Sequence, residues 1–287
     1  MIGIIDVGGG NRDAFGAGVF DYLMDNSIYF DYCVGVSAGS ANCASYASRQ
    51  RGRNLIFYTK YNLSRKTINP VKHFFGADII NLDYIYSTLS NSDGACPLDY
   101  ETMISSSTDM RVVATDADTA ETVYIKKSEI KKDDYGAFSA SSALPPFNHA
   151  YHWHGRNYFD GGISDPIPYA LAFSEGCEKV VIILTLPKNH FRDTSKDADA
   201  ADKMKKYPAM IPLMQHKSEL YNKQLKEALD LEERGKARII APDGYFKGGS
   251  LAKNKEQIMQ IYEEGYEKAQ RIYDFIYSGN PSGTLER

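Results

Sequence analysis

Two apolar runs near the start of the chain constrain the fold most. Ile2 to Val7 is cut off by Gly8-Gly9-Gly10, and a second run of the same kind, Tyr32 to Val36, follows shortly after it. Between them Phe15, Val19, Phe20 and Leu23 recur at helical spacing within Ala14 to Asn26. Strands separated by a helix pair in parallel through a right-handed crossover, and the alanine-rich stretch Ala38 to Arg49 reads as the next helix. Residues 2 to 49 therefore form one βαβ unit, and the fold class is α/β.

Later signals extend that pattern. Arg111 to Thr115 and Glu121 to Ile125 read as strands about a turn, Asp165 to Ser174 as a helix, and Lys179 to Leu186 as a fully buried parallel strand. His149, His152 and His154 fall in an aromatic, hairpin-like stretch, and residues 54 to 106 read as mostly helical and rich in tyrosine. Pro208 to Arg234 and Asn254 to Tyr277 read as long amphipathic helices. In the second, Ile258, Ile261, Tyr262, Tyr266, Ala269, Ile272, Tyr273 and Ile276 share one stripe, the mark of a docking face. The expectation from these signals is one α/β domain around a mainly parallel sheet, with disorder only from Ser278 to Arg287.

Composition removes several function classes. The 287 residues are 43% hydrophobic and 24% charged, enough to bury a core without staples. A net charge of -4, with lysines dispersed as in Lys126-Lys127 and Lys131-Lys132, offers nothing to a polyphosphate, so nucleic acid is not an expected partner. Cys33, Cys43, Cys96 and Cys177 form no C-x-x-C pair and read as reduced core residues. The apolar start MIGIIDV meets glycine too early for a signal peptide or a membrane span, which points to a cytoplasmic protein; secretion independent of such a signal would leave no trace. No oligomeric state is encoded legibly.

The stretch Gly35-Val36-Ser37-Ala38-Gly39 clears the space around a single hydroxyl. A nucleophile elbow needs such glycines, because the strand-to-helix turn lifts the serine above the sheet with no room for larger side chains. A small-residue helix start gives the same string. Gly8-Gly9-Gly10 ends the preceding strand, so its backbone N–H groups and that of Ala38 can face the serine as an oxyanion hole. As G-G-G-N-R-D it is neither G-x-G-x-x-G nor a Walker A loop, and no nucleotide cofactor is expected. None of the six histidines, His73, His149, His152, His154, His190 and His216, has the flanks of a catalytic turn. The H-W-H of His152 and His154 lacks a second ligand cluster, so no metal is expected. Asp160, closing the run Tyr158-Phe159-Asp160-Gly161-Gly162, is an acid that burial beside a serine would make a base; an ordinary D-G turn is the alternative.

Taken together, D-x-G-G-G-x-R, G-V-S-A-G-S and F-D-G-G-I-S-D-P-I-P resemble the patatin-like phospholipase family over roughly residues 1 to 187. The segments Ser139 to Phe147 and Val113 to Asp116 look like that family's connections, and the helical remainder like an extension of bacterial members. The resemblance implies a three-layer α/β sandwich with a central mainly parallel sheet, a patatin-like catalytic domain over residues 1–187 and a helical C-terminal extension, residues 188–287, packed on the same domain. The resemblance implies a Ser-Asp dyad without histidine: Ser37 as nucleophile, Asp160 as base, Gly8, Gly9 and Gly10 as the oxyanion hole with Arg12 beside it. Gly35, Gly39 and Gly161 would be the elbow and dyad glycines. Asp13 departs from the pattern, which usually has glycine after the basic residue, and an acid there would pair with Arg12 or disfavour an anionic headgroup. The implied activity is lipid acyl hydrolysis of the lysophospholipase or esterase type, without cofactor, on an acyl ester or (lyso)phospholipid met at a membrane or micelle. A soluble-ester esterase, a transacylase and a degenerate lipid-binding module are the alternatives.

Overall fold

The computed structural model describes residues 1–71, 76–246, 249–251 and 254–277. His73 and the stretch from Ser278 to Arg287 lie outside the described residues. Eight strands form one mixed sheet: β1 (Ile2–Asp6), β2 (Tyr32–Val36), β3 (Asp109–Asp116), β4 (Thr122–Lys126), β5 (Tyr151–Trp153), β6 (Arg156–Asp160), β7 (Lys179–Ile183) and β8 (Ala237–Ile240). Their order is β5-β6-β3-β2-β1-β7-β8, with β4 also on β3. The run from β3 to β8 is parallel, while β4, β5 and β6 pair antiparallel. The opening βαβ unit is present, with Ile5 opposite Val34 and Asp6 opposite Gly35.

The helices are α1 (Ala14–Asp25), α2 (Ala38–Ala47), α3 (Arg53–Ile56), α4 (Tyr100–Ser105), α5 (Gly136–Ser142), α6 (Tyr169–Ser174), α7 (Asp197–Ala201), α8 (Met210–Gln215), α9 (Lys217–Glu233), α10 (Lys255–Lys268) and α11 (Gln270–Tyr277). Side chains alternate across each strand, and the sheet divides the core accordingly. Ile4, Cys33, Val112 and Ile183 meet α1, α2, α5 and α11 on one face. Ile5, Val34, Val180 and Ile182 meet α6 and α9 on the other, which completes the three layers. Each such aliphatic side chain, fully buried, contributes on the order of 1.5–3 kcal/mol by leaving water.

Several elements differ from the sequence expectation for local reasons. The helix expected from Asp165 begins at Tyr169, because Pro166 and Pro168 remove amide donors and bar the preceding residues from helical geometry. Among the described residues, the range 54 to 106 holds only short helical pieces, interrupted by Asn69-Pro70, Gly94 and Pro97. The segment from Pro208 breaks at His216, between α8 and α9, and the one from Asn254 breaks at Ala269. Its stripe docks as expected through Ile258, Tyr262 and Ile272 against the core, whereas Tyr273 is exposed. The C-terminal region is also not wholly helical: β8 joins the sheet beside β7. No described helix is long and apolar enough to cross a membrane.

Candidate active site

Parallel strands deliver their C-terminal ends to one edge of the sheet, where loops carry functional groups. Val36 ends β2 opposite Val113 of β3, and Ala114 lies opposite Asp160 at the end of β6. Two strand spacings of about 4.8 Å separate Ser37 from Asp160 at backbone level, a span that side chains can bridge. The Asp160 carboxylate lies beside the Ser37 side chain, whose hydroxyl favours its ionised form, and accepts from the Gly162 N–H at 2.8 Å.

The turn at Ser37 is strained, with φ 55° and ψ -130°. That conformation is rare for a residue with a side chain and persists only where the surroundings impose it. Here the Ser37 N–H donates to Ser141 Oγ at 2.8 Å, and Ser141 Oγ donates to the Val113 carbonyl at 2.6 Å. Across the turn, the Ser37 carbonyl accepts from both Ser40 N–H (3.0 Å) and Ser40 Oγ (2.6 Å). Gly35 and Gly39 are required sterically. A Cβ on Gly35 would fall on the backbone of Ser40, and one on Gly39 would lie 2.5 Å from the Asp6 carbonyl oxygen.

The glycine loop sits opposite, with positive φ at Gly8 (69°), Gly9 (143°) and Gly10 (59°). Its amides do not all face the pocket. The Gly8 N–H donates to Asp6 Oδ1 at 3.1 Å, and its carbonyl accepts from Thr185 Oγ1 at 2.5 Å. The N–H groups of Gly9, Gly10 and Ala38 make no hydrogen bond to a described residue. Gly8 thus shapes the loop, a different part from the oxyanion donor that the sequence suggested for it.

Asp13 is also placed differently from either expectation. It is fully buried and lies beneath the glycine loop, against the Asp6 carboxyl and the Gly16 N–H, and does not line the pocket. Burial, then the Asp6 charge, raise its carboxyl well above the usual range, while Asp6, raised by burial to about 6, also accepts from Asn42 Nδ2 at 3.0 Å. Burial and the Asp6 charge thus favour the protonated form of Asp13. Asp13→Asn, which keeps a neutral group of the same size, should therefore shift unfolding free energy by less than about 1 kcal/mol, whereas Asp13→Ala should cost about 1–3 kcal/mol by emptying the buried space beside Asp6. Denaturant titration of both variants checks this order; equal losses would contradict it.

Ser37 and Asp160 open into a cavity of about 220 Å³. Its polar end is lined by Gly8, Gly9, Gly10, Arg12, Ala38 and Arg192, and its apolar end includes Phe57, Ile80, Leu82, Ile85, Leu144 and Phe147. Of the tyrosines in residues 54 to 106, only Tyr58 and Tyr86 line it, their hydroxyls bonded to Asn42 at 3.4 Å and Ser142 at 3.1 Å. No described histidine lines it. His190 bonds Tyr245 and His216 bonds Glu219; His149, His152 and His154 bond Asp78, Asn157 and Asp134. Asp160 is 3% exposed, and burial pushes its carboxyl up to about 6 against the opposing hydrogen bonds from Ser37 and Gly162 and the charge of Arg192. Ser141, Thr185 and Arg192 escaped the sequence reading; the small-residue run Ser139 to Ser142 was a signal for the first, and neither of the others had one.

Comparison with known proteins places the chain in a family. A family model for patatin-like phospholipase matches residues 7–173, and one for a domain of unknown function (DUF6363) matches residues 207–277. The chain is 30% identical over 195 residues to the uncharacterized protein YjjU of Escherichia coli (strain K12), covering 66% of this chain and 53% of that protein, so it spans about half the length of this curated relative. The crystal structure of VipD from Legionella pneumophila aligns over 95% of this chain and 66% of its own, at 13% identity and a TM-score of 0.45. With more than half of its length matched by that model, the chain belongs to the patatin-like phospholipase family, a family of lipid acyl hydrolases.

Proposed function

We propose that this protein is a serine acyl hydrolase that cleaves lipid acyl esters with Ser37 as nucleophile and Asp160 as general base. The observation that carries the reading is the placement of Ser37, on its strained elbow, beside the buried Asp160 carboxylate in a cavity that no described histidine lines. Ser37 Oγ attacks the ester carbonyl as its proton passes to Asp160, and the N–H groups of Gly9, Gly10 and Ala38 receive the oxyanion. Collapse of the tetrahedral intermediate expels the alcohol, which takes the proton from Asp160. Water then enters, gives its proton to Asp160, attacks the acyl-enzyme and releases the fatty acid, restoring Ser37 and the ionised Asp160. No cofactor or metal is needed for these steps.

The apolar end of the cavity suits an acyl chain, and a net charge of -4 gives no long-range attraction to anionic bilayers. Side-by-side assays of nitrophenyl esters of rising chain length, lysophospholipid micelles and anionic vesicles test the substrate. Release should be faster from the medium-chain esters and the micelles than from the vesicles, and Ser37→Ala should abolish all three. Fastest release from the vesicles would make it an interfacial phospholipase instead, and release by Ser37→Ala would remove the mechanism.

A further inference from the structure

The polar end of the cavity holds positive charge that the acyl-transfer steps do not use. Arg12 and Arg192 both line it, beside Ser37 and Asp160, and neither makes an ion pair with a described residue. Arg12 Nε is buried without a hydrogen-bond partner among the described residues, and an ideal Cβ on Gly9 would lie 3.4 Å from it, so this nitrogen flanks the glycine loop. Buried donors are almost always satisfied, and one left open beside a cavity calls for an acceptor that arrives with a ligand.

Arg192 is built in rather than loosely placed. Its backbone exchanges hydrogen bonds with the Asn222 side chain at 2.7 and 2.9 Å, and its guanidinium stacks on the Tyr221 ring, 3.7 Å from the centroid. The neighbouring carboxylate of Asp197 is committed elsewhere, accepting from Ser218 N–H at 2.9 Å and Ser218 Oγ at 2.8 Å. Burial, then the charge of Arg192, lowers the basicity of Arg12, as expected for two cations held close together in a buried site, and the carboxylates of Asp160 and Asp197 oppose the same effect at Arg192. In a chain of net charge -4, that juxtaposition is local and specific. Arg192 also lies outside residues 7–173, the part matched by the family model.

We propose that Arg12 and Arg192 form an anion subsite that seats the phosphodiester of a glycerophospholipid while its ester carbonyl lies at Ser37. The assignment rests on the acyl-hydrolase reading and specifies its substrate class. Guanidinium forks match phosphate oxygens in geometry as well as charge, and the burial that weakens an unpaired cation strengthens it once an anion is bound. The headgroup is held at the polar end, leaving the aliphatic end for the acyl chain.

The test compares kcat/KM for a lysophosphatidylcholine and a monoacylglycerol of the same chain length in the wild type, Arg192→Gln and Arg192→Lys. Arg192→Gln should lower the ratio of the two by at least about tenfold, mainly through KM for the phospholipid, and Arg192→Lys should recover part of the loss. An unchanged ratio, or an equal fall for both substrates, overturns the subsite. Glycerophosphocholine and inorganic phosphate, as competitors of monoacylglycerol hydrolysis, separate the two sources of phosphate. Stronger inhibition by the diester supports a lipid headgroup, and stronger inhibition by inorganic phosphate overturns it. If the wild type hydrolyses neither substrate, the hydrolase reading fails on its own. Equilibrium binding of an ether-linked lysophospholipid then decides the subsite: binding about tenfold weaker in Arg192→Gln upholds it, and equal binding overturns it.

Discussion

Ser37→Ala is expected to lower ester hydrolysis by at least about ten thousandfold while leaving the protein folded, because removing a nucleophile eliminates the covalent route altogether. The fold should survive because the elbow is held through backbone atoms. Ser37 N–H donates to Ser141 and the Ser37 carbonyl accepts from Ser40, and alanine keeps both contacts. Alanine also tolerates φ 55° no worse than serine. Turnover measured alongside thermal unfolding checks this, and a variant that retains even a hundredth of wild-type turnover would contradict it.

The second large effect is at Asp160. Asp160→Asn should reduce kcat by about a hundredfold or more, since the amide cannot take the serine proton. Its carbonyl oxygen still accepts from Gly162, but its NH₂ would face Ser37 as a donor and hold the hydroxyl with the wrong polarity. The same residue sets the pH dependence. Burial raises its carboxyl to about 6, and only the ionised form is a base. Activity is therefore present above that value and lost as pH falls through it, so kcat/KM should show an acid limb with an apparent pKa of about 6. His190→Ala and His216→Ala should leave the limb in place, as these side chains bond Tyr245 and Glu219 and neither lines the cavity. Loss of activity in either, with Asp160→Asn unaffected, would point to a conventional triad.

The central architecture was legible where side-chain chemistry acts locally. Two apolar runs either side of an amphipathic helix specify parallel pairing, and the glycines about Ser37 mark an elbow because only glycine avoids the Ser40 backbone and the Asp6 carbonyl. What stayed hidden depends on distant partners. β8 is four residues long and extends a sheet already assembled, so its burial against β7 is invisible in its own sequence. Arg192 sits in a polar segment where nothing nearby distinguishes it from a solvated arginine, and its role emerges only when α9 brings Tyr221 beneath it. Asp13 looked like a charge beside the oxyanion loop because sequence gives adjacency and not direction. The chain turns it inward, onto Asp6.

Reaction with a fluorophosphonate, followed by peptide mapping, tests the central claim most directly. The reagent phosphonylates a serine whose proton is drawn away by a neighbouring base and whose developing charge has donors nearby, the two features assigned here to Asp160 and the glycine loop. The account predicts a single adduct, on the peptide containing Ser37, formed more slowly in Asp160→Asn and absent in Ser37→Ala. An adduct on any other serine, with hydrolysis persisting in Ser37→Ala, would contradict it.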